Sequence, residues 1–205
     1  MSNRIQIPYT FTGTEKQCIK DNFSTYHDWE KNVFDTIKKN IIDHLRPQQG
    51  NACCYCKKQL GHDIAEVDIE HIIPKSQYDK FTFKSENLAL SCKPCNTKKS
   101  TKEVLKKEIK NYPRSSSNFK IIHAHYDNYF EHIDIVNECI FVARTTEGSE
   151  TITFCELFRL SSVEEANIAY EKLNTDRVCS LIDDIKGRDT ASKDRALDTI
   201  LRAIG

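Results

Sequence analysis

Apolar residues recur at helical spacing early in the chain. Within residues 27–45, one helical face carries Trp29, Val33, Phe34, Ile37, Ile41, Ile42 and Leu45. This stripe predicts an amphipathic helix, and Pro47 and Gly50 are expected to end it. We assign the stripe to the core and give Trp29 no functional role.

The pattern then changes from helical to alternating. Residues 67–72 alternate apolar and polar side chains, which predicts a short strand. Residues 77–91 predict a loop, and residues 93–110 predict a helix. The segment therefore runs as a strand, a strand or loop, and then a helix.

The last third of the chain mixes short apolar runs with helical patterns. Pro113 and the serines at 115–117 predict a flexible joint. The predicted elements beyond it are strands at 121–122, 140–144 and 151–155, a turn at 146–150, and helices at 163–185 and 193–204. The fold class predicted for the whole chain is α+β.

Three regions follow from this pattern. Residues 1–50 form an N-terminal helical region, residues 51–112 a central core, and residues 118–205 a C-terminal α+β extension that is a candidate partner-binding region. A chain of 205 residues suits one elaborated domain or two small ones.

Composition narrows the class of protein. The chain is 39% hydrophobic and 29% charged, which is typical of a soluble domain. It has no apolar run near the ~18 residues of a membrane helix, and its first residues lack the apolar stretch of a secretory signal. We therefore expect no membrane association. Nine cysteines without an export signal favour reduced thiols and a cytoplasmic location.

Four of the cysteines form two pairs, Cys53-x-x-Cys56 and Cys92-x-x-Cys95. Two pairs at this spacing predict a closed structural zinc site with four thiolates. Cys54 competes with Cys53 as a ligand, although Cys54-x-Cys56 matches the spacing less well. The 35 residues between the pairs exceed the loop of a minimal zinc ribbon, so this insert is a candidate for the chemistry.

Glu70 and His71 lie inside the insert. A neutral imidazole suits general-base catalysis, and a carboxylate is a hard oxygen ligand for Mg²⁺. Adjacent strand residues point to opposite faces, so the pair serves one site only where the strand bends or ends, and Pro74 is consistent with such an end. Asn96, near the start of the next helix, is placed to complete the magnesium site. Asn87 is expected to brace the loop by side-chain hydrogen bonds.

Charge is distributed unevenly. The formal net charge is zero, yet residues 93–114 hold eight basic and only two acidic residues. A polyanion such as a nucleic acid is the expected partner of this segment, with a solvated lysine-rich helix face as the alternative. The candidate phosphate contacts are Lys75, Lys98, Lys99 and Lys102.

Several motifs together carry a resemblance: Cys53-Cys54-Tyr55-Cys56, Ile69-Glu70-His71-Ile72-Ile73-Pro74-Lys75-Ser76, Asn87-Leu88 and Ser91-Cys92-Lys93-Pro94-Cys95-Asn96-Thr97-Lys98-Lys99. Over about 50 residues the chain resembles HNH endonucleases, and more narrowly the branch linked to bacterial retrons and Septu-type anti-phage systems. A fainter similarity continues through His125-Tyr126-Asp127, His132 and Thr151-Ile152.

The resemblance implies a ββα-metal core held by zinc. His71 would activate water, Mg²⁺ (or Mn²⁺) would be held by Glu70 and Asn96, and Asn87 completes the family's catalytic set. DNA is the implied substrate, with RNA left open, and an ATPase is the implied partner. The chain departs from the plainest family pattern by having Asn96 in place of a histidine and Glu70 in place of an aspartate.

Two alternatives remain beside a nuclease of an anti-phage system. One is a zinc-stabilised nucleic-acid-binding module without catalysis, and the other is a subunit that is active only with an ATPase partner. A second cluster of polar residues, His123, His125, His132 and Asp127, is expected to be structural. His62 is expected to be a surface loop residue.

Overall fold

The computed structural model describes residues 4–61, 63 and 66–162. The chain divides into two compact units, Met1–Phe158 and Arg159–Gly205. The predicted helices at 163–185 and 193–204, and His62, lie outside the described residues. Among the residues described, no helix is long and apolar enough to cross a membrane.

Two helices open the first unit. Helix α1 spans Gly13–Asn22 and begins at a capping box formed by Thr12 and Glu15. Helix α2 spans Asp35–Gln48. Its buried face carries Ile37, Ile41, Ile42 and Leu45, which is the later part of the predicted apolar stripe.

The prediction of one helix over 27–45 is wrong in its first part. Tyr26–Glu30 and Asn32–Phe34 form short 3₁₀ turns instead. The Asp28 carboxylate accepts hydrogen bonds from the backbone of Ser24 and Thr25, and such local bonds compete with a helix. Lys31 is extended and separates the two turns.

Pro47 does not end α2 as predicted, because it lies inside the last turn. The backbone N–H of Gln49 donates to the carbonyl of Leu45 at 3.0 Å. The turn therefore closes around Pro47 without the N–H that proline lacks.

A strand–strand–helix unit follows. Strand β1, Val67–His71, pairs antiparallel with β2, Leu88–Cys92. Val67 lies opposite Cys92, and His71 lies opposite Leu88. Helix α3, Lys93–Lys99, begins directly after β2. The α+β class and the ββα order are confirmed, but the predicted loop at 77–91 is wrong for residues 88–91, which belong to β2.

Helix α3 is shorter than predicted. It ends at Lys99, and Ser100 has a positive φ of 49°. Beyond it, Leu105 bridges to Phe119, and the N–H of Lys120 donates to the carbonyl of Val104 at 2.8 Å. Burial of these apolar side chains against residues 118–120 replaces the helical continuation to residue 110.

Four short elements complete the unit: α4 Tyr129–His132, β3 Ile133–Val136, β4 Ile140–Ala143 and α5 Thr146–Phe154. Strands β3 and β4 form an antiparallel hairpin, so the predicted strand at 140–144 is confirmed. The predicted strands at 121–122 and 151–155 and the turn at 146–150 are wrong. Thr145 caps α5 by accepting the N–H of Gly148, and this cap starts a helix where a turn was expected.

Contacts cross the predicted region boundaries. The N–H of Ile5 donates to the carbonyl of Ala124 at 2.8 Å, and the hydroxyl of Tyr129 donates to the carbonyl of Tyr55 at 2.5 Å. All of these residues belong to the unit Met1–Phe158. The division at 1–50, 51–112 and 118–205 stays a prediction.

Candidate active site and zinc centre

The four paired cysteines converge. Cys53 and Cys56 lie in a tight turn closed by the bridge between Ala52 and Gln59, while Cys92 ends β2 and Cys95 lies in α3. The four Sγ atoms lie within 4.8 Å of one another, and those of Cys56 and Cys92 are 3.8 Å apart.

This geometry fits zinc. A tetrahedron with Zn–S bonds of about 2.3 Å places its sulfurs about 3.8 Å apart. The cluster leaves out Cys54, whose backbone N–H donates to the carbonyl of Leu90 at 2.9 Å. The predicted ligand set is therefore the set that the fold brings together, and it joins the turn at 53–56 to the end of β2 and to α3.

A cleft of ≈ 650 Å³ opens beside the zinc-clipped unit. Its lining includes Asp68, Glu70, His71, Lys75 and Asn96 from the central segment, and Tyr26, Trp29, Glu30 and Lys38 from the N-terminal region. The cleft therefore joins the predicted catalytic residues to a part of the chain that the motif does not include.

His71 is the last residue of β1 and is 7% exposed. Its Nε2 lies 3.1 Å from the carbonyl oxygen of Thr82. Because a carbonyl can only accept, Nε2 carries the proton and Nδ1 is left as the basic nitrogen. Burial lowers the pKa of His71 to about 3, and the charges of Lys75 and Lys99 act in the same direction. The imidazole is thus neutral at physiological pH.

Glu70 points to the other face of β1 and is 1% exposed. Its Oε1 accepts from Lys99 Nζ at 2.5 Å and from the Tyr55 hydroxyl at 3.0 Å, whereas Oε2 is buried without a partner among the described residues. Burial raises the pKa of Glu70, and the Lys99 charge opposes that rise.

Lys99, a predicted phosphate contact, lines the cleft but is almost fully buried. It is 1% exposed, and its Nζ also donates to the carbonyl of His71 at 2.8 Å. The side chain therefore joins the end of α3 to the end of β1. This placement suits an internal counter-ion rather than a surface contact.

Asn96 contacts an acid that the sequence analysis missed. Its Nδ2 donates to Asp68 Oδ2 at 2.8 Å, so the structure pairs Asn96 with Asp68 and not with Glu70. The signal was available, because strand alternation puts Asp68 and Glu70 on one face. Two carboxylates and an amide are oxygen donors of the kind that Mg²⁺ prefers. Lys99 and Tyr55 already occupy Glu70 Oε1, so Oε2 is the Glu70 atom without a partner among the described residues.

Asn87 is fully buried and acts as a brace. Its Oδ1 accepts the N–H of Ile73 at 2.7 Å, and its Nδ2 donates to the carbonyls of Ile73 and Phe81 at 3.0 and 3.1 Å. These bonds hold the chain that leaves β1 after His71. They match the bracing role expected from the sequence.

The other predicted phosphate contacts are already engaged. Lys75 Nζ lies 3.0 Å from Glu30 Oε1 at the cleft. Lys98 pairs with Glu156 at 2.7 Å, and Lys102 Nζ donates to the carbonyl of Phe154 at 2.8 Å. Of these three lysines, Lys75 alone lines the cleft.

The second polar cluster supports the brace. The Tyr112 hydroxyl lies 2.9 Å from His123 Nε2 and 3.2 Å from Asn87 Oδ1. His125 Nε2 donates to the carbonyl of Leu88, opposite His71, at 2.8 Å. Asp127 accepts the N–H of His123 at 2.8 Å. The structural role of this cluster was expected. Its contacts with Asn87 and with Leu88 of β2 were not.

Comparison with known proteins agrees with this geometry. Residues 53–102 match the family model of the HNH endonucleases. This segment is similar to an HNH endonuclease domain. The resemblance seen in the motifs is confirmed over these residues.

Two curated relatives are similar over a longer stretch. Septu protein PtuB of Bacillus thuringiensis is 28% identical over 116 residues, which are 57% of this chain and 40% of that protein. A retron Vc95 protein of Vibrio cholerae serotype O1 biovar El Tor, named as an HNH endonuclease, is 35% identical over 86 residues, which are 40% of this chain and 41% of that protein. The matches thus span about two fifths of each relative's length. No solved structure matches the chain.

Proposed function

We propose that the chain is a metal-dependent HNH endonuclease that hydrolyses phosphodiester bonds of DNA. The observation that carries the proposal is His71, a buried neutral imidazole in a single tautomer at the end of β1, facing the cleft. It lies in the segment that matches the HNH endonucleases. A binding module has no evident use for a histidine held in this way.

His71 acts as the general base in this proposal. Its Nε2 proton is donated to the Thr82 carbonyl, so Nδ1 accepts the proton of the attacking water. The bond to Thr82 fixes the ring, which spares the reaction the cost of orienting it. The low pKa of His71 keeps Nδ1 unprotonated across the physiological range.

The metals have separate roles. Zinc held by Cys53, Cys56, Cys92 and Cys95 is structural, because four thiolates leave no open position. Glu70 and Asn96, with Asp68 beside them, would hold Mg²⁺ or Mn²⁺. When bound, that ion would polarise the scissile phosphate and stabilise the leaving 3′ oxygen.

Cleavage of supercoiled plasmid tests the proposal. The purified chain should nick DNA in Mg²⁺ but not in EDTA, and His71→Ala should lower the rate by about 10²–10⁴-fold, which is the usual contribution of a general base. His44→Ala is the matched control, since His44 bonds to the carbonyl of Ile7 away from the cleft. Equal cleavage by the wild type and His71→Ala would exclude His71 as the base.

One observation favours the alternative of a nucleic-acid-binding module without catalysis. The predicted magnesium ligands are engaged by other side chains, Glu70 by Lys99 and Asn96 by Asp68. On that alternative, DNA binding persists in His71→Ala and no condition produces cleavage. Parallel binding and nicking assays on the same preparations separate the two functions.

A role in bacterial anti-phage defence is the finer part of the proposal. Its support is the similarity to the Septu and retron proteins. We propose a partner ATPase that releases or directs the nuclease. Copurification of the chain with an ATPase from its native host tests this, and plasmid assays with and without that ATPase show whether activity depends on it.

A further inference from the structure

The proposed general base contacts the N-terminal region, far outside the HNH match. The rings of Trp29 and His71 meet edge to face, with centroids 4.6 Å apart and planes at 82°. Trp29 is 7% exposed and lies in the 3₁₀ turn Tyr26–Glu30. An indole in this position covers one side of the imidazole and limits its rotation.

The same turn is tied to the backbone that fixes the tautomer. The N–H of Tyr26 donates to Asp79 Oδ1 at 2.9 Å. Asp79 begins the 3₁₀ turn Asp79–Phe81, which Thr82 caps. Trp29 also packs against Phe83, with ring centroids 5.1 Å apart. The turn that carries Trp29 and the turn that Thr82 caps are therefore joined, and both contact the His71 ring.

We infer that Trp29 is a positioning residue for His71, holding the imidazole so that Nε2 stays on the Thr82 carbonyl and Nδ1 stays free. This inference rests on the proposed function for its catalytic consequence. Its structural part, the dependence of the His71 tautomer on Trp29, does not. Because the ring of Trp29 packs directly against the ring of His71, we assign the effect of Trp29 to the orientation of His71.

The tautomer of His71 can be measured directly. Ring ¹⁵N chemical shifts, recorded on the zinc-loaded full chain at one pH near 8 without DNA, distinguish a proton on Nε2 from one on Nδ1. The wild type should show the Nε2–H form alone. Trp29→Leu should show a mixture, whereas Trp29→Phe, which keeps an aromatic ring, should restore the wild-type spectrum.

The matched control is Phe34→Leu. Phe34 is fully buried and packs against the same Phe83 at 5.1 Å, but no ring contact joins it to His71. It should lose stability and keep the His71 spectrum. A mixture in Phe34→Leu equal to that in Trp29→Leu would show a general packing effect and overturn the inference.

Asp79→Ala provides a second route should Trp29→Leu fail to fold. Asp79 is exposed, and its loss removes the tie between the two turns. We expect partial mixing of tautomers, and an unchanged spectrum would contradict the inference. In the cleavage assay, Trp29→Leu should lower kcat by about 10- to 100-fold with KM nearly unchanged, as expected for a misplaced catalytic group.

The two proposals fail separately. A wild type that never cleaves DNA, together with a Trp29-dependent tautomer, contradicts the nuclease and leaves the positioning contact in place. Cleavage that needs His71 but a tautomer indifferent to Trp29 contradicts the positioning role alone.

Discussion

The two neighbouring residues Glu70 and His71 are held in opposite ways. On one face of β1, Glu70 is the buried partner of Lys99 from α3, 2.5 Å away. On the other face, His71 is neutral and meets Trp29 and the carbonyl of Thr82. The surroundings of Glu70 come from α3. Those of His71 come from the N-terminal region and from the segment between β1 and β2.

The contrast between Glu70 and His71 shows that the family motif includes only some of the residues that form the site. The family match at residues 53–102 contains Glu70, Asn96 and Lys99. It does not contain Trp29, which covers the proposed base. The charge that faces Glu70 comes from Lys99 of α3, inside the match. The aromatic ring that packs against His71 comes from Trp29, outside the match.

The largest expected effect is on the side that depends on zinc. Cys92→Ser removes a ligand, and structural zinc sites contribute about 10–16 kcal/mol at neutral pH in small domains. We expect loss of bound zinc and unfolding of the β1–β2–α3 unit, which would separate Lys99 from Glu70. Elemental analysis should give one zinc per wild-type chain and less than one in the variant, with a lower Tm.

Cys54→Ser is the control for that experiment. Cys54 is 6% exposed and next to a ligand in sequence, yet it lies outside the cluster. It should keep one zinc per chain. Loss of zinc in Cys54→Ser but not in Cys53→Ser would mean that the clip uses the other cysteine.

A smaller effect is expected from breaking the ion pair. Lys99→Met leaves the buried Glu70 carboxyl without its partner, and removing one partner of a buried ion pair costs about 3–5 kcal/mol. Lys98→Met removes an adjacent, exposed ion pair with Glu156 and should cost less than about 1 kcal/mol. Urea unfolding measures both, and the double variant Glu70→Gln with Lys99→Met should recover much of the loss.

Equal costs for the Lys98 and Lys99 variants would contradict the comparison. In that case water would reach Glu70, and the Glu70–Lys99 pair would be as exposed as an ion pair on the protein surface. The buried, unpartnered Oε2 of Glu70 would then need another explanation.

The sequence was sufficient where spacing is local. Each cysteine pair and β1 follow from spacing within a few residues, and the structure agrees with both. The bracing role of Asn87 also agrees, although its partner Ile73 lies 14 residues away. The α+β class also follows from period changes along the chain. Strand alternation also places Asp68 on the same face of β1 as Glu70.

Long-range packing decided what the sequence missed. Val104 and Leu105 have a helical pattern, but both are buried and Leu105 bridges to Phe119, so α3 stops early. Trp29 has the spacing of a core helix but sits in a 3₁₀ turn against His71. No local rule joins residue 29 to residue 71, because their contact depends on how the N-terminal region folds over the insert.

The smallest expected effect is the pH dependence of stability that the neutral imidazole of His71 causes. It tests whether His71 is enclosed by apolar groups. The pKa of His71 lies near 3 in the folded chain, against an ordinary value of 6.5. Between these values the unfolded chain binds more protons, so stability from the neutral imidazole is full above pH 6.5 and falls as pH falls. At about 1.4 kcal/mol per pH unit, the loss of stability from pH 7 to pH 4 is about 3 kcal/mol.

Urea unfolding of the wild type and of His71→Gln across this pH range measures the loss. The variant is the control, because acid also weakens zinc binding in both proteins. The variant should lose less stability than the wild type, and parallel curves would mean that His71 is solvated.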